Sequence, residues 1–315
     1  MIEVKDLTKF YGKTKAIENV TFDVKKGEIL GFLGPNAAGK TTTMRIITCY
    51  MPASSGTVKV NGYDVFEDSI EVRKRIGYLP EHPPLYLDMP VTGYLDFVAT
   101  IKGIQKKDRS RKIDISIGKC GLGEVRNTLI ANLSKGFRQR VGLAQALIHE
   151  PEIMILDEPT IGLDPKQIIE VRELIKGLAG DHTVILSTHI LPEVSMTCDR
   201  VVIIDRGMKI AEGSPEDLTA QLKGSEKLKL IVDGQWNSVR ERLLNVTDVV
   251  NVTLEKSGPD GIIEMSVESK PGVDVRKEVA KIIIENGWGL LELAPVSMSL
   301  EDIFLQLTTK EEEVS

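Results

Sequence analysis

The sequence predicts an α/β layered fold with a largely parallel sheet, followed by a smaller α+β domain. Three observations carry this. Short apolar runs at 28–33 and, rich in β-branched residues, at 153–156, 183–186 and 201–204 are separated by helical stretches such as 166–178. Buried strands that alternate with helices build parallel sheets. The first 30 residues and 56–61 instead alternate apolar and polar side chains, as half-exposed antiparallel strands do. Beyond about residue 221 the pattern becomes strand, helix, strand, strand, helix, strand, the order of the ferredoxin-like split motif.

A length of 315 residues favours two domains. In the first, the run at 28–33 ends in a glycine-bearing loop, and a helix is expected after Gly39. From about 91 to 150 the chain reads as mostly helical, an inserted helical subdomain. The second domain is expected from 225, with strands at 227–232, 249–255, 262–267 and 289–293 and helices at 238–244 and 275–285. A final amphipathic helix is expected near Ser299, whose spacing to Asp302 suits a capping box.

Composition narrows the function. A hydrophobic content of 42% and a charged content of 27% describe an ordinary globular protein. The formal charge of -6 lacks the basic surplus of a dedicated nucleic-acid binder, so no nucleic-acid partner is expected. Cys49, Cys120 and Cys198 are scattered without CxxC spacing, which fits buried thiols in a reducing compartment. The N-terminus lacks the apolar stretch of a signal peptide, and the longest apolar runs are far short of a membrane span.

The segment Gly34-Pro35-Asn36-Ala37-Ala38-Gly39-Lys40-Thr41-Thr42 fits G-x-x-x-x-G-K-[ST] in strand–loop–helix context. Such a loop turns backbone N–H groups and a helix N-terminus toward phosphate oxygens. Lys40 would reach the β- and γ-phosphates of ATP, Thr41 would bind Mg²⁺, and Thr42 adds a hydroxyl for a phosphate. A carboxylate at the end of a neighbouring buried strand completes such a metal site. Asp157 and Glu158, closing the run at 153–156, supply it: Asp157 for the metal or its water, Glu158 to orient or deprotonate the attacking water.

Leu133-Ser134-Lys135-Gly136-Phe137, just ahead of that strand, resembles the signature of ABC-type ATPases. The resemblance covers roughly residues 1–220, in the family's motif order. It implies a P-loop nucleotide-binding domain over 1–222, with an antiparallel β subdomain and a helical subdomain, and an accessory domain over 225–315. Tyr11 matches the aromatic that stacks on adenine. Residues 76–81 match the loop between the metal site and the transmembrane partner, with Glu81 in place of the usual glutamine and still able to serve Mg²⁺. Gly162-Leu163-Asp164 resembles the D-loop, and His189 matches the switch histidine that senses the γ-phosphate. Ala37 stands where many relatives carry glycine or serine; Lys135 and Phe137 replace the glycine and glutamine of the commonest signature, while Ser134 and Gly136 are kept.

The resemblance implies an ATPase that works as a head-to-tail dimer around two Mg-ATP, the loop at Gly34 facing Ser134 and Gly136 of a second copy or a related subunit. It implies a separate integral-membrane permease, with this chain held peripherally at the inner face of the cell membrane. Residues 296–304 resemble the tail of ATP-binding subunits in exporters of drugs, antibiotics and ions, and of gliding-motility subunits. A ribosome- or DNA-acting relative would bring a second ATPase domain or a long coiled coil, and neither is present in the sequence. A non-hydrolysing switch would have no need of both Glu158 and His189.

Overall fold

The computed structural model describes residues 1–221, 226–258, 261–270 and 272–296. The chain divides into two compact units, Met1–Pro215 and Glu216–Ser315. The helix expected from Ser299 and the tail at 297–304 lie outside the described residues. Among the described residues no helix is long and apolar enough to cross a membrane.

The first unit opens with β1 (Ile2–Tyr11) and β2 (Thr14–Val24), which pair antiparallel. With β4 (Ser55–Val60) and β5 (Tyr63–Asp64) they form an antiparallel sheet in the order β2-β1-β4-β5. The second sheet holds β3 (Ile29–Leu33), β6 (Ile76–Leu79), β7 (Ile153–Asp157), β8 (Thr183–Thr188), β9 (Arg200–Asp205) and β10 (Met208–Gly213). Its order is β10-β9-β3-β8-β7-β6, parallel except for the edge strand β10. Every residue of β3, β7 and β8 is buried, which is why these strands read as continuous apolar runs.

Helix α1 (Lys40–Ile47) packs into the core that joins the two sheets. Met44, Ile46 and Ile47 share this core with Phe32, Ile155 and Ile185 of the parallel sheet and with Val4, Val20 and Val58 of the antiparallel one. Phe22 and Phe32 meet across it with ring centroids 5.3 Å apart. Full burial of each such side chain contributes about 1.5–3 kcal/mol. Arg200, at the start of β9, clasps the edges of both sheets. Its guanidinium donates to Glu28 Oε1 (2.6 Å), to the Asp23 carbonyl at the end of β2 (2.6 Å) and to Glu212 on β10.

Helix α2 (Ser69–Arg75) precedes β6, and the helical insert follows it with α3 (Val91–Ile101), α4 (Lys106–Lys119) and α5 (Lys135–Leu147). Helix α6 (Pro165–Lys176) links β7 to β8, and α7 (Leu191–Thr197) links β8 to β9. Helix α8 (Pro215–Gln221) follows β10.

The second unit contains β11 (Glu226–Asp233), α9 (Trp236–Leu244), β12 (Val249–Ser257), β13 (Ile262–Ser269), α10 (Arg276–Glu285) and β14 (Gly289–Val296). Its strands form an antiparallel sheet in the order β12-β13-β11-β14, the ferredoxin-like topology. Leu228, Leu230, Val232, Met265 and Val267 form one core with Val239, Leu243, Val279 and Ile283 of the helices. On the sheet, Lys227 pairs with Glu268 and Lys229 with Glu264 and Glu292. Exposed pairs of this kind add little stability.

Candidate functional site

The sheet register assembles the site. Leu33 pairs with Thr188, and Asp157 pairs with Ser187. The carboxyl ends of β3, β8 and β7 therefore lie side by side, although 116 residues of sequence separate Asp157 from Thr41. Ligands of open α/β sheets bind at such strand ends. Here the three ends deliver Gly34, His189, and Asp157 with Glu158.

The loop after β3 closes onto α1 through Gly39, whose φ of 103° lies in the left-handed region. A Cβ there would also press on Ile17 and the Ala16 carbonyl, so glycine is required. The first turn of α1 carries no acidic residue, which leaves the positive helix end free for an anion. Beside it lies a cavity of about 350 Å³, walled by Asn36, Ala37, Gly39, Lys40, Thr41 and Thr42 and, opposite, by Glu81 and Glu158. Ala16 and Ile161 complete the wall. Both are small or apolar residues with no motif to mark them in the sequence.

Lys40 is 6% exposed. Its ammonium donates to the carbonyls of Gly34 (2.8 Å) and Pro35 (3.0 Å) and pairs with Glu158 Oε1 at 3.2 Å. Glu158 Oε2 lies 2.9 Å from His189 Nδ1, so one buried carboxylate bridges the lysine and the histidine. Glu158 itself holds a φ of 49°, uncommon for a side-chain-bearing residue and frequent at active sites.

Asp157 is fully buried. Its Oδ1 accepts from the Thr41 hydroxyl at 3.3 Å and from Ser187. Its Oδ2 is buried with no hydrogen-bond partner. Burial pushes the Asp157 carboxyl above its ordinary value; the two hydroxyls work against that shift, and the charges of Glu158 and Glu81 add to it. An orphaned, crowded carboxylate oxygen beside a threonine hydroxyl is a donor set suited to a hard divalent cation.

The remaining sequence candidates lie apart from this cavity. Tyr11 is 45% exposed, its hydroxyl on Met51 Sδ at 3.1 Å and its ring 5.7 Å from the Lys9 ammonium, and it is not on the cavity wall. Ser134 caps α5 by accepting from the Phe137 N–H (3.3 Å), and Asp164 caps α6 by accepting from the Gln167 N–H (3.0 Å). Gly136 and Phe137 share a hollow of about 290 Å³ with Asp164 and Gln167. A Cβ on Gly136 would collide with the Gln167 side chain. The Lys135 ammonium lies against Gly162.

Residues 17–161 match the family model described as ABC transporter. The bacitracin transport ATP-binding protein BcrA of Bacillus licheniformis is 36% identical over 309 residues, spanning 98% of this chain and 97% of that protein. This chain belongs to the ABC transporter ATP-binding proteins. The linearmycin resistance ATP-binding protein LnrL of Bacillus subtilis (strain 168) is 31% identical, with 98% of each chain covered. A dimeric, post-hydrolysis structure of the ATP-binding cassette MJ0796 bound to ADP and Pi superposes with a TM-score of 0.63 at 26% identity, covering 68% of this chain and 98% of that one. CbiO1 of Clostridium perfringens, part of the transporter complex cbiONQ, superposes with a TM-score of 0.65 at 25% identity, covering 78% and 95%. The cavity beside α1 belongs to an ABC ATPase, a subunit that binds and hydrolyses ATP.

One departure within the ABC phosphate loop has a structural consequence. Ala37 holds a φ of 65°, a conformation that glycine adopts freely and that costs other residues about 1–2 kcal/mol. Alanine carries the smallest side chain that pays this strain, and Ala37→Val, β-branched, fits it far less well. Ala37→Val should weaken ATP binding about tenfold, whereas Ala37→Gly should leave it within about twofold. Titration with a fluorescent ATP analogue checks both.

Proposed function

We propose that this chain is the motor of an exporter whose membrane part is a separate permease. Two copies close head to tail around two Mg-ATP, and Glu158 is the general base for the attacking water. The observation that carries this reading is the Lys40–Glu158–His189 chain across the ends of three adjacent strands, with Lys40 and Glu158 buried and His189 partly exposed.

With ATP in the cavity, the loop N–H groups and Lys40 would bind the phosphates, drawing the ammonium from Glu158. The freed carboxylate would face the attacking water and take its proton. His189 would hold Glu158 and the γ-phosphate in register. Thr41, Asp157 and Glu81 would hold Mg²⁺, which supplies charge neutralisation on the β- and γ-phosphates. The hollow at Gly136 lies outside the chain's own phosphate cavity, so a second subunit's Ser134 and Gly136 would close the site. Lys135 and Phe137 lie in that contact, and Asp164 would face it. Tyr11 is assigned to the adenine, which needs only an exposed ring.

The segment 78–84 supports the permease assignment. Glu81 faces the nucleotide cavity, while Tyr78, Pro80, His82 and Pro84 wall a second groove of about 530 Å³. Arg45, Arg73 and Lys102 line the same groove. Its cationic walls suit a cytoplasmic segment of the permease that carries acidic side chains, and a chain contacting both cavities couples one to the other. Arg73→Glu should cut co-purification with the permease about tenfold while leaving ATP affinity within about twofold. Residues 225–315 are read as an accessory domain.

The decisive experiment is fractionation of the chain expressed with and without a candidate permease, a polytopic membrane protein. Recovery with membranes only upon co-expression supports the reading. Co-sedimentation with ribosomes, or tight ATP binding without phosphate release, overturns it.

A further inference from the structure

A further buried carboxylate lies off the cavity wall, outside the hydrolytic steps above. Glu193, in α7, is 3% exposed. Its Oε1 accepts from the Thr160 hydroxyl and its Oε2 from the Thr188 hydroxyl at 2.8 Å. Thr160 lies two residues after Glu158, in the turn that leads to Asp164. Thr188 immediately precedes His189, and its hydroxyl also accepts from the Ile190 N–H at 3.0 Å. Both oxygens of one side chain are therefore spent on the two loops that flank the site.

Burial raises the Glu193 carboxyl above its ordinary range, against the pull of the two threonine hydroxyls, and the nearby charge of Glu158 adds to the rise. An acid placed here at that cost is a poor choice for packing alone. Helix α7 spans Leu191–Thr197 and also buries Leu191 and Val194, so its apolar face can seat it without Glu193.

We propose that Glu193 is a positioning residue that ties the loop after Glu158 to the loop of His189, fixing both around the reacting phosphate. The inference rests on the roles given above to Glu158 and His189. Because the turn from Thr160 also carries Asp164, movement of that turn by a second subunit would reach His189 through this carboxylate.

The test measures kcat, KM for ATP, affinity for a fluorescent ATP analogue and thermal midpoint in the full chain. Glu193→Ala should lower kcat about 10- to 100-fold, the scale of a misplaced catalytic group. Affinity should stay within about twofold, and Glu193→Gln, whose amide can still serve both threonines, should recover kcat to within about threefold. In a His189→Ala background, Glu193→Ala should cost less than about threefold more, because residues acting through one another are not additive. Equal losses in both backgrounds, or a kcat loss that only follows a falling midpoint, would overturn the proposal. Should Glu193→Ala not fold, Thr160→Val with Thr188→Val cuts the same tie and decides in its place: unchanged kcat refutes it. His189→Ala with undiminished kcat would instead refute the role of His189, and with it this route. Diminished kcat in His189→Ala with full kcat in Glu193→Ala would sink the inference alone.

Discussion

Glu158→Gln is expected to cut steady-state ATP hydrolysis by about 10²- to 10⁴-fold, the range for loss of a general base. The amide keeps the size of the side chain and its place between Lys40 and His189, but it cannot take a proton from water. It also removes a negative charge 3.2 Å from the Lys40 ammonium, which makes room for a phosphate there. ATP should therefore bind at least as tightly as in the parent chain and remain unhydrolysed. With ATP and Mg²⁺ the variant should elute as a dimer from a sizing column. A variant that stays monomeric, both alone and in the presence of the permease, would remove the main support for the sandwich. One that still turns over normally would displace Glu158 from the chemistry.

Lys40→Met should have the second large effect, and it should act on two properties at once. Phosphate affinity should fall about 100-fold or more, since charge-assisted hydrogen bonds are worth roughly 1.5–3 kcal/mol each. The substitution also leaves Glu158 buried without its cation, and breaking one side of a buried pair costs about 3–5 kcal/mol. The thermal midpoint should therefore drop even without nucleotide. Adding Glu158→Gln to Lys40→Met should restore part of that midpoint while ATP binding stays lost. If the double variant is no more stable than Lys40→Met alone, the ion pair carries no weight in the nucleotide-free protein.

Much of the fold is legible in the sequence because burial leaves a period. Strands covered on both faces, such as β7 and β8, read as unbroken apolar runs, whereas β1 and β2 alternate. The phosphate loop is legible for a different reason: its glycine spacing answers to one ligand chemistry. What the sequence does not display is adjacency. That β8 lies between β3 and β7 follows from packing, and only this order brings His189 to Glu158. Glu193 escapes notice for the same reason. Its partners are 33 and 5 residues away, and nothing in a Leu-Pro-Glu-Val stretch marks it as more than a helix start. Tyr11 shows the converse. Its motif position is legible, but its side chain lies beside Met51 and off the wall of the phosphate cavity.

The clasp made by Arg200 sets what part of the ATPase can turn. One guanidinium joins β2, the entry to β3, and β10, so the antiparallel and parallel sheets behave as a single stator. The helical insert is fastened differently: Gln145 of α5 donates to the Tyr78 carbonyl of β6 at 2.8 Å, and Gly142 lets α5 pack directly on Leu79 and Pro83. The chain leaves β6 through a stretch bearing Pro80, Pro83, Pro84 and Pro90. These prolines stiffen the stretch that follows β6. A movement of the insert against that stator would run through a stretch whose root, Glu81, lies on the phosphate cavity and whose flank faces the cationic groove.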